Sequence, residues 1–295
     1  MTEFLARTRY CDWDHPEIVA TMEATRQGCS GREAAVRQFR FVRDEVRYAF
    51  GPWGLPASSV LFRRYGTCSN KSNLLVALLR AAGIPAAYGV MRVDGQEYFG
   101  NINPSFFKHL MSRSSVHVYV AAYVEGAWIK CDPSTDQELA AKTSHFCEQT
   151  RLVDWDGTYD SLDPIDPRHV YADEGLRPSL DELLSKPVRN ATGATCAILN
   201  AYLRFVRTKP PFPSAEALIE AYLRHLVEAS ARDEQPPGQA WTDGAWPGGP
   251  SHALCATGLH RWCTSASQKR DGPNIPPLLP SSQMSGLGAS APHDR

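Results

Sequence analysis

Cys68, His117 and Asp132 are the residue types that together can activate a thiol for attack on an acyl carbon. Cys68 stands in Gly66-Thr67-Cys68-Ser69-Asn70-Lys71-Ser72-Asn73, which continues through Leu74, Leu75, Leu78 and Leu79 to Arg80-Ala81-Ala82-Gly83-Ile84-Pro85. Leucines at helical spacing, a Thr67 cap, a stop at Gly83 and a block at Pro85 predict a helix from about Cys68 to Ala82. A thiol at a helix N-terminus meets unpaired backbone N–H groups and the positive end of the helix dipole. Both favour the thiolate, the reactive form. The backbone N–H of Cys68 can also point at a developing oxyanion.

His117 and Asp132 are linked by strand parity. Val116–Val124 reads as a strand, Glu125-Gly126 as a two-residue turn, and Ala127–Cys131 as the returning strand. That loop pairs Val124 with Ala127 and Tyr123 with Trp128, and carries the ladder on to Tyr119 opposite Asp132. His117 and Asp132 then become diagonal neighbours on one face, with backbones ~7 Å apart and side chains in reach. A carboxylate so placed sets the tautomer and orientation of an imidazole. A three-residue loop would put the two on opposite faces.

A second oxyanion donor is needed, and the indole N–H of Trp53, in the Gly51-Pro52-Trp53-Gly54-Leu55-Pro56 loop, is the one suggested. Each residue has a bland alternative. A lone Cys is commonly an inert core residue and a lone strand His structural, so the joint pattern carries the expectation. Cys131 faces away from His117 and reads as core. Asn70 and Lys71 read as solvated first-turn residues, though a cation is poorly placed there for the dipole, which leaves a packing or substrate role for Lys71.

The elements that must position these groups follow from pattern. Helices are predicted at 12–28, with Pro16 near its start, and at 31–48, where Ala35, Val36, Phe39, Val42 and Val46 recur at helical spacing. Ala86–Val93 reads as a strand, 96–114 as irregular, and 133–170 as loop-rich. Loops 96–114 and 133–170 are expected to shape the pocket. Helices resume at 179–186, 192–207 and 214–231. From about 232 Pro, Gly and Ser dominate, and 232–295 reads as a disordered tail behind one domain at 1–231.

The chain has 295 residues, 43% hydrophobic, with a formal net charge of −1. It can bury a sizeable core, and no global field recruits nucleic acid or an anionic membrane. No stretch approaches the ~18 apolar residues of a membrane span. The N-terminus lacks an apolar leader core and the eight cysteines form no close framework, so a reducing, cytoplasmic setting is expected. His252, Cys255, His260 and Cys263 are ligand types for zinc, but their spacing is not that of a usual finger and the flanking sequence has little core. Asp154-x-Asp156-Gly157 resembles part of a calcium loop but lacks the later acidic ligands, and reads as a polar turn. No phosphate-cradling glycine loop or dinucleotide fingerprint is present, and no cofactor or metal is expected.

Over about residues 40–135 the chain resembles the transglutaminase-like superfamily, part of the broader papain-like group of cysteine acyl-transfer enzymes. The resemblance is carried by Val46-Arg47-Tyr48, Gly66-x-Cys68, the helix ending in Arg80-Ala81-Ala82-Gly83-Ile84-Pro85, His117 on a strand, Trp128 after a Gly turn, and Asp132-Pro133-Ser134. It implies Cys68 as nucleophile, His117 as general base and acid, and Asp132 as the orienting residue. It also implies an α+β fold: N-terminal helices, the Cys-bearing helix packed on an antiparallel sheet, and here extra C-terminal helices. The family's aromatic oxyanion donor lies upstream of the Cys, where Trp53 stands. Val118 follows His117 where an Ala-Trp pair is common, a departure that weakens protein crosslinking as the activity. The small stand-alone members are the nearest in pattern.

The expected activity is acyl transfer on a peptide, amide or acyl-thioester, through an acyl-enzyme resolved by an amine acceptor or by water. A retired, non-catalytic binding module is the alternative, and the intact Cys68, His117 and Asp132 count against it. An interaction protein working through a zinc-bound tail is a third.

Overall fold

The structure, a computed structural model, describes residues 1–98, 102–186 and 192–233. The 232–295 tail, beyond its first two residues, and the His252, Cys255, His260 and Cys263 group lie outside them. Helices α1 (Pro16–Arg26) and α2 (Gly31–Glu45) come first, followed by the short strand β1 (Arg47–Tyr48). A short helix α3 (Ala57–Arg63) leads to β2 (Tyr65–Gly66), which pairs in parallel with β1. Helix α4 (Cys68–Ala81) precedes β3 (Ala86–Asp94), β4 (Ser114–Val124) and β5 (Ala127–Cys131). Then come α5 (Gln137–Thr143), β6 (Val170–Arg177), α6 (Asp181–Leu184), α7 (Gly193–Thr208) and α8 (Ala215–Asp233).

The main sheet has the order β5-β4-β3-β6 and is antiparallel throughout. With the helices packed around it, the architecture is α+β, as the sequence implies. The β4–β5 hairpin has the predicted register, Val124 with Ala127 and Tyr123 with Trp128. Its turn needs positive φ at both central residues, and Glu125 and Gly126 adopt 52° and 88°. Even-numbered residues of β4, from Val118 to Val124, enter the main core with Cys131.

Helix α4 lies at the centre. Every side chain from Cys68 to Arg80 is buried, so its polar first turn must be satisfied within the protein. Asn70 donates to the Trp53 carbonyl at 3.0 Å, Asn73 to that of Leu55 at 3.1 Å, and Ser72 to that of Val118 at 3.1 Å. Lys71 Nζ donates to the Arg43 carbonyl at 3.1 Å. Asn70 and Lys71 are therefore not solvated residues, as their polarity suggested. They are buried ties to α2 and to the loop before α3. At the far end Arg80 donates to the carbonyls of Ala6, Ala86 and Pro178, gathering three segments around the helix C-terminus. Leu74, Leu75, Leu78 and Leu79 are fully buried, each worth about 1.5–3 kcal/mol of transfer free energy.

A second apolar cluster joins α7 and α8 to α5 and to the segment around Phe107, through Leu199, Tyr202, Phe205, Leu218 and Tyr222. Helix α7 is also tied to β1. Arg207 donates to the Asp136 carboxylate at 2.6 Å and to the Tyr48 carbonyl at 2.9 Å. Asn200 exchanges hydrogen bonds with the backbone of Phe50 at 2.9 and 2.8 Å.

Several elements escape the sequence pattern: the expected helix 31–48 ends at Glu45 and gives way to β1, which pairs with the unexpected β2, and α5, α3 and β6 are not anticipated. Helix α5 lies in the segment read as loop, with Asp136 as its N-cap accepting from the Leu139 N–H at 2.9 Å. Helix α3 follows directly on the Pro/Gly loop. Strand β6 contains Asp173-Glu174-Gly175 and breaks register twice against β3, so no alternation marks it. It is held from above: Tyr119 of β4 reaches across β3 at Gly89 and donates to Asp173 at 3.1 Å. A Cβ on Gly89 would lie 1.9 Å from the Tyr119 ring, so only glycine lets this ring cross.

Candidate active site

Cys68 is the first residue of α4, after its cap Thr67. The Thr67 N–H donates to Asn70 Oδ1 at 3.1 Å, closing a reciprocal capping box. A Cβ at Gly66 would come 2.6 Å from Asn70 Cβ, so the approach to the cap is held to glycine. The thiol is buried, with 7% of the residue exposed, and opens on a cleft.

His117 lies on β4 against the same cleft. Its Nε2 is 2.5 Å from Asp132 Oδ2, with both side chains buried. Asp132 Oδ1 accepts from the Ser134 N–H at 3.0 Å and its hydroxyl at 2.5 Å, which fixes the carboxylate. Burial works to lower the His117 pKa, but the Asp132 charge and hydrogen bond, with a further hydrogen bond and charge from Cys68, hold it well above the ordinary value. Burial would raise the Asp132 carboxyl. The imidazolium and the Ser134 bonds outweigh it and hold the carboxyl below the usual range.

Two residues that no pattern singled out complete the cluster. Tyr98 Oη is 3.0 Å from His117 Nδ1, with the rings 5.2 Å apart between centroids. The same hydroxyl donates to Asp163 Oδ2 at 3.2 Å, and Thr135 donates to that oxygen at 3.4 Å. Asp163 is buried, and its Oδ1 has no hydrogen-bond partner. Burial and the nearby Asp132 charge push its pKa well up, against the pull of His117, Tyr98 and Lys71. Asp163 sits among Asp163-Pro164-Ile165-Asp166-Pro167, where a loop gives no periodicity to mark it.

Lys71, buried close behind, has its pKa lowered to about 8 by burial, although Asp136, Asp163 and Asp132 oppose the shift. The ligand atoms of His117, Asp132 and Asp163 lie within 4.8 Å of one another, and these residue types suit a divalent cation. The 2.5 Å between His117 Nε2 and Asp132 Oδ2 is hydrogen-bond contact, with no room for an ion between them.

Trp53 lines the cleft, but its indole N–H donates to the Leu183 carbonyl at 3.4 Å. The segment 96–114 contributes Tyr98, Leu110, Met111 and Ser112 to the cleft wall, as expected. The segment 133–170 lines none of it. The opposite wall comes from Thr195, Cys196 and Leu199 of α7.

This order of helix, hairpin and carboxylate has a counterpart among known proteins. Residues 19–133 match the family model described as the transglutaminase-like superfamily. The chain carries a transglutaminase-like domain. Cys68, His117 and Asp132 fall inside the matched span of that domain, whereas Asp163 and the C-terminal helices fall outside it. Solved structures similar to the chain include a candidate cysteine protease from Cytophaga hutchinsonii, at 18% identity and TM-score 0.40, covering 61% of this chain and 48% of that one. A candidate protease from Parabacteroides distasonis is similar at 16% identity and TM-score 0.30, covering 44% and 24%. The chain thus spans about half the length of the first and a quarter of the second. Among curated proteins none matches the sequence. No helix among the described residues is long and apolar enough to cross a membrane.

Proposed function

We propose that the transglutaminase-like domain is a cysteine-dependent acyl-transfer enzyme in which Cys68 is the nucleophile, His117 the general base and acid, and Asp132 its orienting partner. The observation that carries this is the placement of His117 between Asp132 and the thiol at the α4 N-terminus. Asp132 takes Nε2 and keeps the ring charged, which leaves Nδ1, 3.0 Å from Tyr98 Oη, to exchange a proton with the thiol. An imidazolium and a helix N-terminus on one sulfur favour the thiolate.

In the proposed cycle Cys68 Sγ attacks the carbonyl carbon of a peptide, amide or acyl-thioester donor. The Cys68 N–H faces the oxyanion, and His117 protonates the leaving group, an amine from a peptide or amide and a thiolate from a thioester. The acyl-enzyme is then resolved by an amine, giving a new amide, or by water, giving the acid. A reducing, cytoplasmic setting suits a working thiol and remains part of the same proposal.

The test is the pH dependence of iodoacetamide alkylation, read by mass and peptide mapping. Cys68 is expected to alkylate selectively near neutral pH, well ahead of the other cysteines of the chain. Cys68→Ala is expected to lose all acyl-adduct formation with an unchanged melting temperature. A Cys68 that reacts no faster than an unfolded-state thiol would falsify the assignment.

A further inference from the structure

The cluster holds one carboxylate more than a Cys-His-Asp mechanism uses. Asp132 already occupies Nε2 of His117 and is itself satisfied by Ser134. Asp163 is also buried, its Oδ1 has no hydrogen-bond partner, and its Oδ2 is joined through the Tyr98 hydroxyl to Nδ1 of the same imidazole. An orphaned buried carboxylate oxygen is costly, so its retention beside the ring calls for a use.

We propose that Asp163, acting through Tyr98, is a second carboxylate partner of His117 and a proton store on the Nδ1 side. It is a positioning residue, since it touches the base only through the phenol. The inference rests on the acyl-transfer reading for its role in turnover, but the network exists whether or not Cys68 is activated.

Two arrangements hold the same number of protons. In one, His117 carries both ring protons. Nδ1–H donates to Tyr98 Oη, which donates to ionised Asp163. In the other, the Nδ1–H bond breaks as an O–H bond forms at Tyr98, and the phenol proton passes to Asp163 Oδ2. One proton leaves the imidazole, one arrives on the carboxyl, and Tyr98 is unchanged. Asp163 then donates to Tyr98, which donates to the bare Nδ1. The second arrangement leaves a neutral ring that can take the thiol proton; the first leaves an imidazolium that stabilises the thiolate.

The balance is set by the groups facing Asp163. Asp132 disfavours its charge, whereas His117, Lys71 and the Tyr98 bond favour it. Tyr48 lies close enough to feel both carboxylates and the thiol. Interacting groups of this kind titrate as a set, with apparent values that belong to the network.

The experiment follows the ring nitrogens of His117 by 15N NMR across about pH 5–10 in the full chain, with His117 assigned by its loss in His117→Gln. Wild type, Asp163→Asn and Tyr98→Phe are compared, and Cys68 alkylation is run on the same samples. Asp163→Asn is expected to lower the His117 midpoint by about one unit or more, the usual effect of removing an opposite charge at this range. Tyr98→Phe is expected to lower it by about half a unit and to change the Nδ1 shift. Midpoints within about 0.3 unit of wild type in both variants overturn the proposal and make Asp163 a packing residue. Should Asp163→Asn fail to fold, Tyr98→Phe, which drops a single oxygen, decides alone. An ordinary Cys68 with shifted midpoints overturns the acyl-transfer reading and upholds the network; an activated Cys68 with unshifted midpoints does the reverse.

Discussion

One turn into α4, Ser72 Oγ donates to the Val118 carbonyl at 3.1 Å, fastening the helix that bears Cys68 to the strand that bears His117, one residue from the imidazole. Both groups are buried, so neither finds water if the bond is lost. Ser72→Ala is expected to cost about 1–3 kcal/mol in urea unfolding. It is also expected to slow Cys68 alkylation near neutral pH several-fold, because the thiol and the imidazole lose a shared anchor. Unchanged alkylation with the stability cost intact would show that the remaining packing of α4 on β4 sets their distance.

The His117–Asp132 pair sets a pH window. His117 has a folded pKa raised above its unfolded value of about 6.5, so its contribution is complete below that value and fades as pH rises through the folded one. Asp132 has a lowered folded pKa, so its contribution holds above about 3.9 and fades as pH falls through the folded value. Stability from the pair is therefore fullest between about 4 and 6.5. Asp132→Asn is expected to remove that plateau from a melting-temperature profile. It is also expected to cut Cys68 alkylation at about pH 6 by tenfold or more, since the ring loses the charge that keeps it protonated. A profile parallel to wild type would place the coupling elsewhere.

Lys71 gives the opposite sign. Its folded pKa of about 8 lies below the 10.5 of an exposed lysine, so above 8 the folded state gives up a proton that the unfolded state keeps. Stability then rises with pH, by on the order of 2 kcal/mol between pH 8 and 9.5. Lys71→Met, which keeps the volume and cannot titrate, is expected to flatten that rise. The difference between the two urea-midpoint profiles isolates this amine from other groups.

Gly89→Ala tests the crossing ring. The added methyl cannot share the space of Tyr119, so the ring must leave Asp173 or the strands must part. A loss of about 1–3 kcal/mol is expected, with earlier amide exchange in β6 than in β5. Uniform exchange across the sheet would mean that β6 does not depend on Tyr119.

What could be read from the chain depended on periodicity and parity. The cap at Thr67, the leucine spacing of α4 and the two-residue turn at Glu125-Gly126 each have a local rule, so the placement of Cys68, His117 and Asp132 on their elements was legible. Tyr98 and Asp163 were not, because they lie in irregular segments and meet His117 only through the tertiary fold. Burial of Asn70 and Lys71 was hidden for a related reason. Their polarity matches a solvated turn, and their partners are backbone carbonyls of Trp53 and Arg43, which sequence type does not encode. The bond from the Trp53 indole to the Leu183 carbonyl was likewise hidden, because that acceptor is far along the chain. Strand β6 was missed because its contacts are made by charge and by Tyr119 rather than by an alternating apolar face.

That same irregularity has a bearing on solubility. An outermost strand offers unpaired backbone groups to any passing chain, and straight apolar ones seed aggregates. Here the outer strand carries Asp173 and Glu174, breaks register twice against its neighbour, and turns through Gly175 at a φ of 78°. A second molecule trying to extend the sheet meets a bent rim whose carboxylates are already held by Arg92, Arg177, Lys130 and Tyr119, so β6 is a poor template for runaway self-association.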